Sequence, residues 1–362
     1  MSMKEKGKVA IGLSGGVDSS VAAYLLKKQG YQVTGLFMVN WQDPNNHSKC
    51  SVSQDLKDAE TAAKILGIDF ETVDFSSEYK SKVFTPFLLD YQKGLTPNPD
   101  ILCNRYIKFE LFLQHCLNKG FEKMATGHYA KIKMDNGAHL LQANDTSKDQ
   151  SYFLSHVDAD KLRHVMFPLG EMTKNKVRDI AHEINLNTAS KKDSTGLCFI
   201  GEQPFAPFLN QFLLEKPGHI IDIDTGDILG EHRGIIFFTT GQRKGLQIGG
   251  QKKSQKPWYV VKKDVATQTV YVGQGKDHPA LFNRSLSCHK VHWINAPKTS
   301  QLQAKIRYRQ SHQTCRVECI NEDILHVHFT HAQRGITPGQ YIVFYHNNEC
   351  LGCAVIDQEV NP

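Results

Sequence analysis

The first half of the chain alternates apolar runs with amphipathic segments, and this order constrains the fold more than any other feature. Lys8 to Leu13 is typical of a buried strand, Ser19 to Gln29 of a helix that ends at Gly30, and Tyr31 to Met38 of a second strand. The pattern continues with a helix, a strand and a helix: Ser53 to Leu66, Asp69 to Asp74 and Glu110 to Asn118. Repeated strand–helix order predicts a parallel sheet covered by helices on both faces.

The sequence pattern changes after Gly201, where short β-rich runs with frequent glycine begin. Examples are GIIFFTT, WYVV, TVYVGQG, RVECI, ILHVHF and QYIVFY. At about 100–200 residues per domain, a chain of 362 residues has room for two or three domains. We expect an α/β domain over residues 1–203, a small central β-rich domain over 204–275 and a C-terminal β-barrel over 276–362.

The composition excludes several classes of protein. With 40% hydrophobic and 22% charged residues the chain can bury a sizeable core, so disorder, collagen and a whole-chain coiled coil are excluded. No apolar run approaches the roughly 18 residues of a membrane span, and Met1 to Val9 contains no signal-peptide core. We therefore expect a soluble cytoplasmic protein with no membrane partner. Its net charge of +6 is compatible with a polyanionic partner.

The seven residues SGGVDSS, Ser14 to Ser20, lie between the first predicted strand and helix. Gly15 and Gly16 allow positive φ and close backbone approach, and a helix start offers unpaired N–H groups and partial positive charge, so such a turn suits phosphate. It is not a Walker loop, because no lysine follows the glycines. Asp18 is a candidate for capping the helix or holding Mg²⁺. The alternative is an ordinary strand–helix turn with serine caps.

Two cysteines lie in segments without core periodicity. Thr96 to Asp100, with two prolines, predicts a rigid loop, and Cys103 follows at a helix start that favours a thiolate. Cys198 is bracketed by Gly196 and Gly201, which predicts an accessible loop. Brought together, two such thiols could transfer sulfur, one as a persulfide and the other by forming a disulfide. The alternative is two unrelated loop cysteines among the nine of the chain.

SGGVDSS resembles the pyrophosphate-binding loop of the PP-loop ATPases, which split ATP into AMP and pyrophosphate. That resemblance alone leaves amide-forming ligases and RNA thiolation enzymes open. Other segments closely resemble the tRNA-specific 2-thiouridylases, which convert the wobble uridine of certain tRNAs to 2-thiouridine. The matching segments run nearly end to end: LFMVNW (36–41), ATGHYA (125–130), KDQSYFL (148–154), GQRKGL (241–246), VYVGQG (270–275), AKIRYRQ (304–310) and ITPGQYIVFY (336–345).

The resemblance implies a role for each matching residue. The positions similar to ATP-binding residues are Gly12, Leu13, Ser14, Gly15, Gly16, Val17, Asp18, Ser19, Met38 and Gly127. Those similar to the catalytic residues are Cys103 as nucleophile, Cys198 as persulfide carrier and Asp100 as general base or positioning group. Those similar to tRNA contacts, including the loop that holds the target base, are Asn98, Pro99, Asp100, His128, Lys148, Asp149, Gln150, Arg307, Tyr308 and Gln340.

The implied cofactors are ATP and Mg²⁺. The implied partners are the anticodon loop of tRNA, a persulfide-carrying sulfur donor protein and a thiol reductant. The chain departs from the family after Trp41, where the family's acidic run is replaced by the nearly neutral QDPNNHSK, and at Gln247 and Cys353, where the family has glycine.

A basic segment supports an RNA partner independently of the resemblance. Residues 241–263 contain seven Lys or Arg and no Asp or Glu, and a flexible positive segment can follow phosphates. Arg243 and Lys244 lie in it, and Arg307 and Tyr308 add the groups that bind RNA backbone and unstacked bases. A solvated charge run is the alternative. Two rival functions also remain, another PP-loop ligase and a non-catalytic RNA-binding protein.

The cysteines near the C terminus suggest a zinc ribbon only superficially. Cys350 and Cys353 form CxxC, but Cys315 and Cys319 have the wrong spacing to complete the site. We expect structural thiols there and no metal site. His326, His328 and His331 are likewise expected to decorate a strand.

Overall fold

The computed structural model describes residues 6–41, 51–192, 205–248 and 256–359. The elements of the first two ranges are β1 (Lys6–Gly12), α1 (Val17–Lys28), β2 (Tyr31–Val39), α2 (Ser51–Leu66), β3 (Asp69–Asp74), α3 (Ser76–Tyr79), a π-helix (Lys80–Phe84), α4 (Thr85–Gln92), α5 (Pro99–Leu102), a second π-helix (Cys103–Phe112), α6 (Leu113–Asn118), β4 (Lys123–Ala125), β5 (Ala130–Met134), β6 (Ala138–Gln142), α7 (Ser151–Leu154), α8 (Ala159–Leu162), β7 (Val165–Met166) and α9 (Lys174–Glu183).

Five of these strands form a parallel sheet in the order β3-β2-β1-β4-β7. Its central strand β1 is buried on both faces because Val9 and Ile11 belong to one hydrophobic cluster with α1, α2 and α9, whereas Ala10 faces a second cluster. Near-continuous apolar strands are typical of such a doubly covered sheet. The strand order reverses between β1 and β4, and ligands of such sheets bind outside the carboxyl ends of the strands at that point.

The remainder of the chain is β-rich, as the sequence predicts. Its elements are α10 (Phe205–Leu209), β8 (Gly218–Asp222), β9 (Ile228–His232), β10 (Trp258–Asp264), β11 (Thr269–Gln274), β12 (Phe282–Trp293), β13 (Gln301–Lys305), β14 (Gln313–Cys319), β15 (Leu325–Arg334), β16 (Tyr341–His346) and β17 (Glu349–Glu359). A four-stranded sheet has the order β10-β11-β8-β9, and β12-β15-β14-β13-β16-β17 close into a barrel through pairing of β12 with β17. The predicted fold class is confirmed.

The N-terminal part and the barrel are joined through a common sheet and a common hydrophobic cluster. The β5–β6 hairpin extends the barrel sheet because Glu349 and Cys350 of β17 pair with Leu141 and Leu140 of β6. One hydrophobic cluster includes both Phe112, beside the parallel sheet, and Tyr345 of the barrel. The proposed division at 203/204 and 275/276 therefore separates sequence segments whose cores are partly continuous.

Two local predictions are wrong. Residues 96–100 are not all loop, because α5 begins at Pro99, a residue that suits the first helical position since it lacks an N–H. GIIFFTT contains a 3₁₀ turn at Ile235–Phe237 rather than a strand, and its apolar side chains join two clusters. The helix predicted over Glu110 to Asn118 is confirmed, although it is the end of a longer helical run that begins at Pro99 and includes the π-helix Cys103–Phe112.

A half-buried histidine pair joins the N-terminal part to the barrel. The rings of His156 and His292 lie 4.7 Å apart, Tyr341 packs on His156, and Asp158 forms an ion pair with Arg105 and lies 3.8 Å from His292 Nε2. Burial, together with His292 and Arg105, lowers the pKa of His156 from 6.5 to about 3. The folded protein therefore holds a neutral imidazole that the unfolded chain protonates below about pH 6.5.

We predict that stability falls on acidification because the unfolded state binds more protons. Between about pH 7.5 and about pH 5.5, His156 should account for a loss of about 1 kcal/mol. Thermal unfolding of His156→Gln should show a smaller decrease in Tm over this range than the unchanged protein. The exposed His346 provides the control, since His346→Gln should keep the original pH dependence. An unchanged pH dependence in His156→Gln would contradict the prediction.

Candidate functional site

The loop after β1 turns at Gly15, where a side chain would not fit. Gly15 has φ +72°, and a Cβ there would overlap the backbone carbonyl of Asp55 in α2. Only glycine combines this left-handed conformation with so close an approach of another backbone. The loop therefore presents main-chain groups at the N-terminus of α1, an arrangement suited to an anion.

Three serines stabilise this loop by hydrogen bonds within it. The Ser14 backbone N–H donates to Ser19 Oγ at 3.2 Å, and the hydroxyls of Ser19 and Ser20 donate to the Gly16 carbonyl at 3.2 Å and 3.0 Å. Ser19 and Ser20 are buried, whereas Ser14 is exposed. Of the three hydroxyls, that of Ser14 is thus the one placed to meet a ligand.

Asp18 has a partner that the sequence did not predict. The Lys174 ammonium donates to both Asp18 carboxylate oxygens at 2.8 Å, and the Tyr129 hydroxyl donates to Oδ1 at 2.8 Å. Asp18 does not cap α1, whose N-cap residue is Gly16 without a side-chain cap, so that alternative is wrong. Lys174 begins α9, which packs against α1 and so carries the ammonium to the loop.

A second lysine reaches the loop from the turn after α9. Lys191 Nζ donates to the Gly15 carbonyl at 2.9 Å and to carboxylate oxygens of Asp55 at 2.7 Å and Asp58 at 2.6 Å. The sequence lacks a lysine next to the glycines, but the fold supplies two from positions 156 and 176 residues away. No local sequence signal identifies them, because their proximity depends on how α9 packs.

The other candidate ATP-binding residues lie at the same edge of the sheet. Gly12 ends β1, Met38 lies near the end of β2, and Gly127 follows β4. A Cβ on Gly127 would lie 2.6 Å from the Ser19 backbone nitrogen, so this glycine allows the loop after β4 to contact the start of α1. The Met38 side chain is within van der Waals reach of Gly12. The candidate nucleotide residues therefore converge at the point where the strand order reverses.

The helical run that starts at Pro99 connects this nucleotide edge to Cys103. Phe112 contacts Gly12, and Phe109 packs on His128, which follows Gly127. Cys103 and Phe112 are the first and last residues of the second π-helix and so lie at its opposite ends. Long π-helical segments are rare, and π-helical turns are frequent at functional sites.

Cys103 is not the accessible thiolate that the sequence predicted. Its side chain is fully buried in a hydrophobic cluster. Its pKa is raised to about 11, mainly by burial. The positive charge of Lys108 opposes this shift, and the negative charge of Asp100 adds to it. The predicted helix N-terminus lies upstream, since Asn98 caps the run by accepting a hydrogen bond from the Ile101 N–H. The dipole that would favour a thiolate therefore acts at Pro99 and Asp100 rather than at Cys103.

The loop before this helix is held by the barrel. The Gln340 side-chain amide donates to the Thr96 carbonyl at 2.7 Å and to the Pro97 carbonyl at 3.4 Å. The Thr96 N–H donates to the Pro338 carbonyl at 2.9 Å, and its hydroxyl lies 3.4 Å from that of Thr239 in the central segment. The candidate base-holding loop, with Asn98 and Asp100 at its end, thus lies where three parts of the chain meet.

Three residues with implied tRNA contacts make defined internal contacts. Asp149 is buried, and its carboxylate accepts hydrogen bonds from Gln142, Ala143 and Ser151, which argues against direct contact with RNA. Gln150 Oε1 accepts from the Tyr129 N–H at 2.9 Å. Burial and Lys108 hold the pKa of His128 well below 6.5, so its imidazole is neutral.

Arg307 and Tyr308 lie on the barrel beside the base-holding loop. Tyr308 packs on Phe153 with ring centroids 4.5 Å apart, and the Arg307 guanidinium donates to the Gly335 carbonyl at 3.0 Å. A pocket of about 280 Å³ is lined by Arg307, Tyr308, Arg309, Gln310 and Arg334. Burial raises the pKa of Tyr308, and the Arg309 guanidinium, 5.5 Å from the centroid of its ring, opposes that shift. The structure therefore brings Arg307, Tyr308 and Arg309 together, whereas Lys148 is not among the residues that line this pocket.

Arg243 lies in a second basic pocket, of about 540 Å³, next to the first. Its lining residues include Lys256, Tyr259 and Lys276. The Arg334 guanidinium, which lines the first pocket, lies 4.9 Å from the centroid of the Tyr259 ring, so the two pockets adjoin. Lys244 is exposed on the same turn as Arg243. We call these two pockets the basic junction.

Some of the predicted residues lie outside the described ranges, and others lie in surroundings that the sequence did not indicate. Cys198, with Gly196 and Gly201, lies outside the described ranges. Cys315 is in the barrel core and Cys319 is exposed, while Cys350 and Cys353 are buried in another cluster. Within the described ranges, no three His, Cys, Asp or Glu side chains form a metal-binding group. The helices in those ranges are also too short or too polar to cross a bilayer.

We predict that Gly15→Ala impairs ATP binding at least tenfold, because the new Cβ would push the loop away from α2. Isothermal titration with ATP measures the loss directly. Gly30→Ala is the matched control: Gly30 also has positive φ, +90°, but no atoms lie near its Cβ position. Gly30→Ala should lose about 1 kcal/mol of stability from backbone strain, and Gly15→Ala should lose more because its Cβ also meets the Asp55 carbonyl, whereas ATP affinity should fall only in Gly15→Ala. Equal ATP affinity in both would contradict the prediction.

Family descriptions match most of the chain. Residues 7–202 match the tRNA methyl transferase HUP domain, residues 206–274 the tRNA methyl transferase PRC-barrel domain and residues 283–356 the aminomethyltransferase beta-barrel domain. Among solved structures, a 4-thiouridine synthetase in complex with RNA and bound ATP is 16% identical and covers 57% of this chain and 50% of its own, with a TM-score of 0.37. That likeness is too limited to bear on fold or function.

Curated relatives are similar over nearly the whole chain. The tRNA-specific 2-thiouridylase MnmA of Legionella pneumophila (strain Paris) is 50% identical over 360 residues, which cover 98% of this chain and 99% of the relative. The protein of the same name from Bordetella avium is 48% identical over 367 residues, with 98% and 99% coverage. The relatives and the residues that carry the predicted motifs agree, and the chain belongs to the tRNA-specific 2-thiouridylase family.

Proposed function

We propose that this protein is an ATP-dependent sulfurtransferase that converts the wobble uridine of tRNA to 2-thiouridine. The observation that carries the proposal is the helical run from Pro99 to Asn118. It joins the candidate base-holding loop and Cys103 at one end to the phosphate loop, through Phe112 and Gly12, at the other. One continuous helical run would thus connect a base bound at the first end to a nucleotide bound at the second.

In the first step the phosphate loop binds ATP and the uridine O2 attacks the α-phosphorus. Pyrophosphate leaves and an adenylated uridine forms, so that the former carbonyl oxygen becomes part of a good leaving group. Backbone N–H groups and the start of α1 stabilise the phosphates, and Lys174 adds an ammonium within reach of the loop. Asp100, close enough to influence the Cys103 pKa, is proposed to orient the base.

Mg²⁺ is proposed to arrive with the triphosphate. Asp18 is the carboxylate of the loop, but Lys174 and Tyr129 occupy its oxygens. Asp55 and Asp58, which lie next to the loop, are likewise bonded to Lys191. These carboxylates are thus paired within the protein rather than arranged as a separate cation site, and no step of the mechanism depends on the ion.

In the second step the terminal sulfur of a Cys198 persulfide attacks C2, and AMP leaves with the former O2. Uridine is then linked to Cys198 through a disulfide. The Cys103 thiolate attacks the Cys198 sulfur, so that 2-thiouridine departs with the electron pair and a Cys103–Cys198 disulfide remains. An external dithiol supplies two electrons and two protons to reopen it, and a persulfide-carrying donor protein reloads Cys198.

Cys103 can act in this scheme only after its surroundings change. In the structure it is a buried thiol with its pKa raised to about 11, whereas attack on a disulfide needs a thiolate. The sulfur-transfer step therefore requires a rearrangement that opens the hydrophobic cluster around Cys103. We propose that tRNA binding drives it, since the base-holding loop is covalently continuous with the helix that carries Cys103.

The basic junction is the proposed contact surface for the anticodon arm. It lies beside the base-holding loop, which Gln340 fixes from the barrel, and it offers Arg243, Arg307 and Arg334 to phosphates. Tyr308 and Phe153 provide aromatic faces for a base that has left its stack. We also propose a cytoplasmic location, which is supported by thiol chemistry that depends on a reductant and by tRNA as the substrate.

We predict that Cys198→Ser abolishes 2-thiouridine formation while tRNA-dependent pyrophosphate release continues for a single turnover, because adenylation does not need the persulfide whereas AMP leaves only when sulfur attacks C2. The assay combines tRNA, ATP and a persulfide donor, followed by mass spectrometry of the nucleosides and quantification of pyrophosphate. Cys319→Ser is the matched control, since Cys319 is exposed on the barrel and should leave product formation unchanged. Normal 2-thiouridine formation by Cys198→Ser would exclude Cys198 as the sulfur carrier.

The same assay separates the rival functions. An amide-forming PP-loop ligase would release pyrophosphate without tRNA and would tolerate blocked thiols. A non-catalytic RNA-binding protein would bind tRNA without consuming ATP.

We predict that replacing both Arg243 and Lys244 by Ala weakens tRNA binding and lowers its salt dependence. Each lost phosphate contact should reduce the slope of log K against log salt by about 0.7 to 0.9. Filter binding at several salt concentrations measures the slope. Lys64→Ala, on an exposed face of α2, should leave it unchanged. A double variant with the original slope would show that this part of the junction does not contact tRNA.

A further inference from the structure

The turn that follows α9, residues 186–192, is fixed to two neighbouring elements. The Arg178 guanidinium donates to the carbonyls of Ala189 and Lys191 at 3.1 Å and 3.3 Å, which ties the turn to α9. The Asn187 amide donates to the Asp58 carbonyl of α2 at 3.3 Å. The backbone that carries Lys191 is thus held in place independently of the Lys191 side chain.

Lys191 uses all three of its ammonium protons. It donates to the Gly15 carbonyl at 2.9 Å, to Asp55 Oδ1 at 2.7 Å and to Asp58 Oδ2 at 2.6 Å. An ammonium has three donors and no acceptor, so these three contacts saturate it. Burial opposes its charge, but the hydrogen bonds to Asp55 and Asp58 outweigh burial and raise its pKa above 10.5. It is a fixed cation.

The contact with Gly15 determines which way one peptide of the phosphate loop faces. The carbonyl of Gly15 and the N–H of Gly16 belong to the same planar trans peptide and point in opposite directions. Because the carbonyl accepts a hydrogen bond from Lys191, the Gly16 N–H points away from Lys191. A flip of this peptide would present a carbonyl dipole to the nucleotide in place of an N–H.

Lys191 has a second effect, because it lies between the carboxylates of Asp55 and Asp58. Two carboxylates next to a phosphate-binding loop would repel a triphosphate, and Lys191 compensates one of their two charges. Loss of Lys191 could therefore impair ATP binding by releasing the peptide or by exposing the carboxylates. The two effects separate when the carboxylates are removed together with the lysine.

We propose that Lys191 is a positioning residue for ATP, which acts by holding the Gly15–Gly16 peptide with its N–H toward the phosphates. The proposal rests on the proposed ATP-dependent function and assigns a role in it to a residue outside the phosphate-loop motif. Charge compensation of Asp55 and Asp58 is secondary. Lys191 need not touch the nucleotide, because its effect passes through the backbone of Gly15.

The test compares Lys191→Met, Lys191→Arg and Lys176→Met in tRNA-dependent AMP release and in direct titration with ATP. Lys191→Met should raise KM for ATP at least tenfold and change kcat less than threefold. Lys191→Arg, which keeps a cationic donor, should restore KM to within about threefold of the original. Lys176 is exposed on α9, and Lys176→Met should behave like the unchanged protein. A purely structural role would lower Tm without this selective rise in KM.

The triple variant Lys191→Met/Asp55→Asn/Asp58→Asn decides between the two effects. Under the proposal it keeps the raised KM, because the peptide is still free. Recovery of the original KM in the triple variant, or an unchanged KM in Lys191→Met, would overturn the proposal. If Lys191→Met does not fold, Lys191→Gln retains a neutral amide donor group and should show an intermediate KM.

The outcomes are separable from failure of the proposed function. If the unchanged protein binds ATP but releases no AMP with tRNA, the proposed function fails, while the ATP titrations of the Lys191 variants still test the positioning role. If the unchanged protein is active and the variants bind ATP as it does, the positioning role alone is wrong.

Discussion

The contact between Gly15 and the backbone of α2 is the constraint on which the nucleotide edge depends. A left-handed residue pressed against the Asp55 carbonyl fixes the course of the loop relative to α2. Every other candidate nucleotide residue is placed relative to that loop. Gly127 contacts the start of α1, and Lys174 and Lys191 reach it from the two ends of the α9 region.

Continuity of cores explains how distant sequence segments form one site. The hydrophobic cluster around the π-helical run includes barrel residues such as Tyr341 and Tyr345, and the β5–β6 hairpin pairs with β17. The barrel therefore cannot move freely relative to the base-holding loop, which Gln340 also fixes by hydrogen bonds. A substrate that touches the basic junction is positioned relative to the nucleotide edge through packed elements rather than through a flexible linker.

Burial of Cys103 lowers the reactivity of its thiol in this conformation of the protein. An exposed thiolate next to a nucleotide would be open to oxidation and unproductive disulfide exchange. A thiol with its pKa raised to about 11 is unreactive until its cluster opens. Under the proposed mechanism, reactivity would thus be coupled to substrate binding. The sequence could not indicate this, because the prolines around Thr96 suggested an exposed loop and the burial comes from side chains of several distant elements.

The sequence by itself determined the α/β order, the strand–SGGVDSS–helix turn and the family, because each depends on local periodicity or on residues close together in the chain. Gly15 could be identified from the sequence for the same reason, since a positive φ is a local requirement. Only the tertiary structure decided which lysines serve the loop, that Asp149 is buried, and that Cys103 is a buried thiol. These properties depend on the packing of α9, the π-helical run and the barrel against one another, and contacts between residues more than a hundred positions apart leave no periodic signal in one sequence.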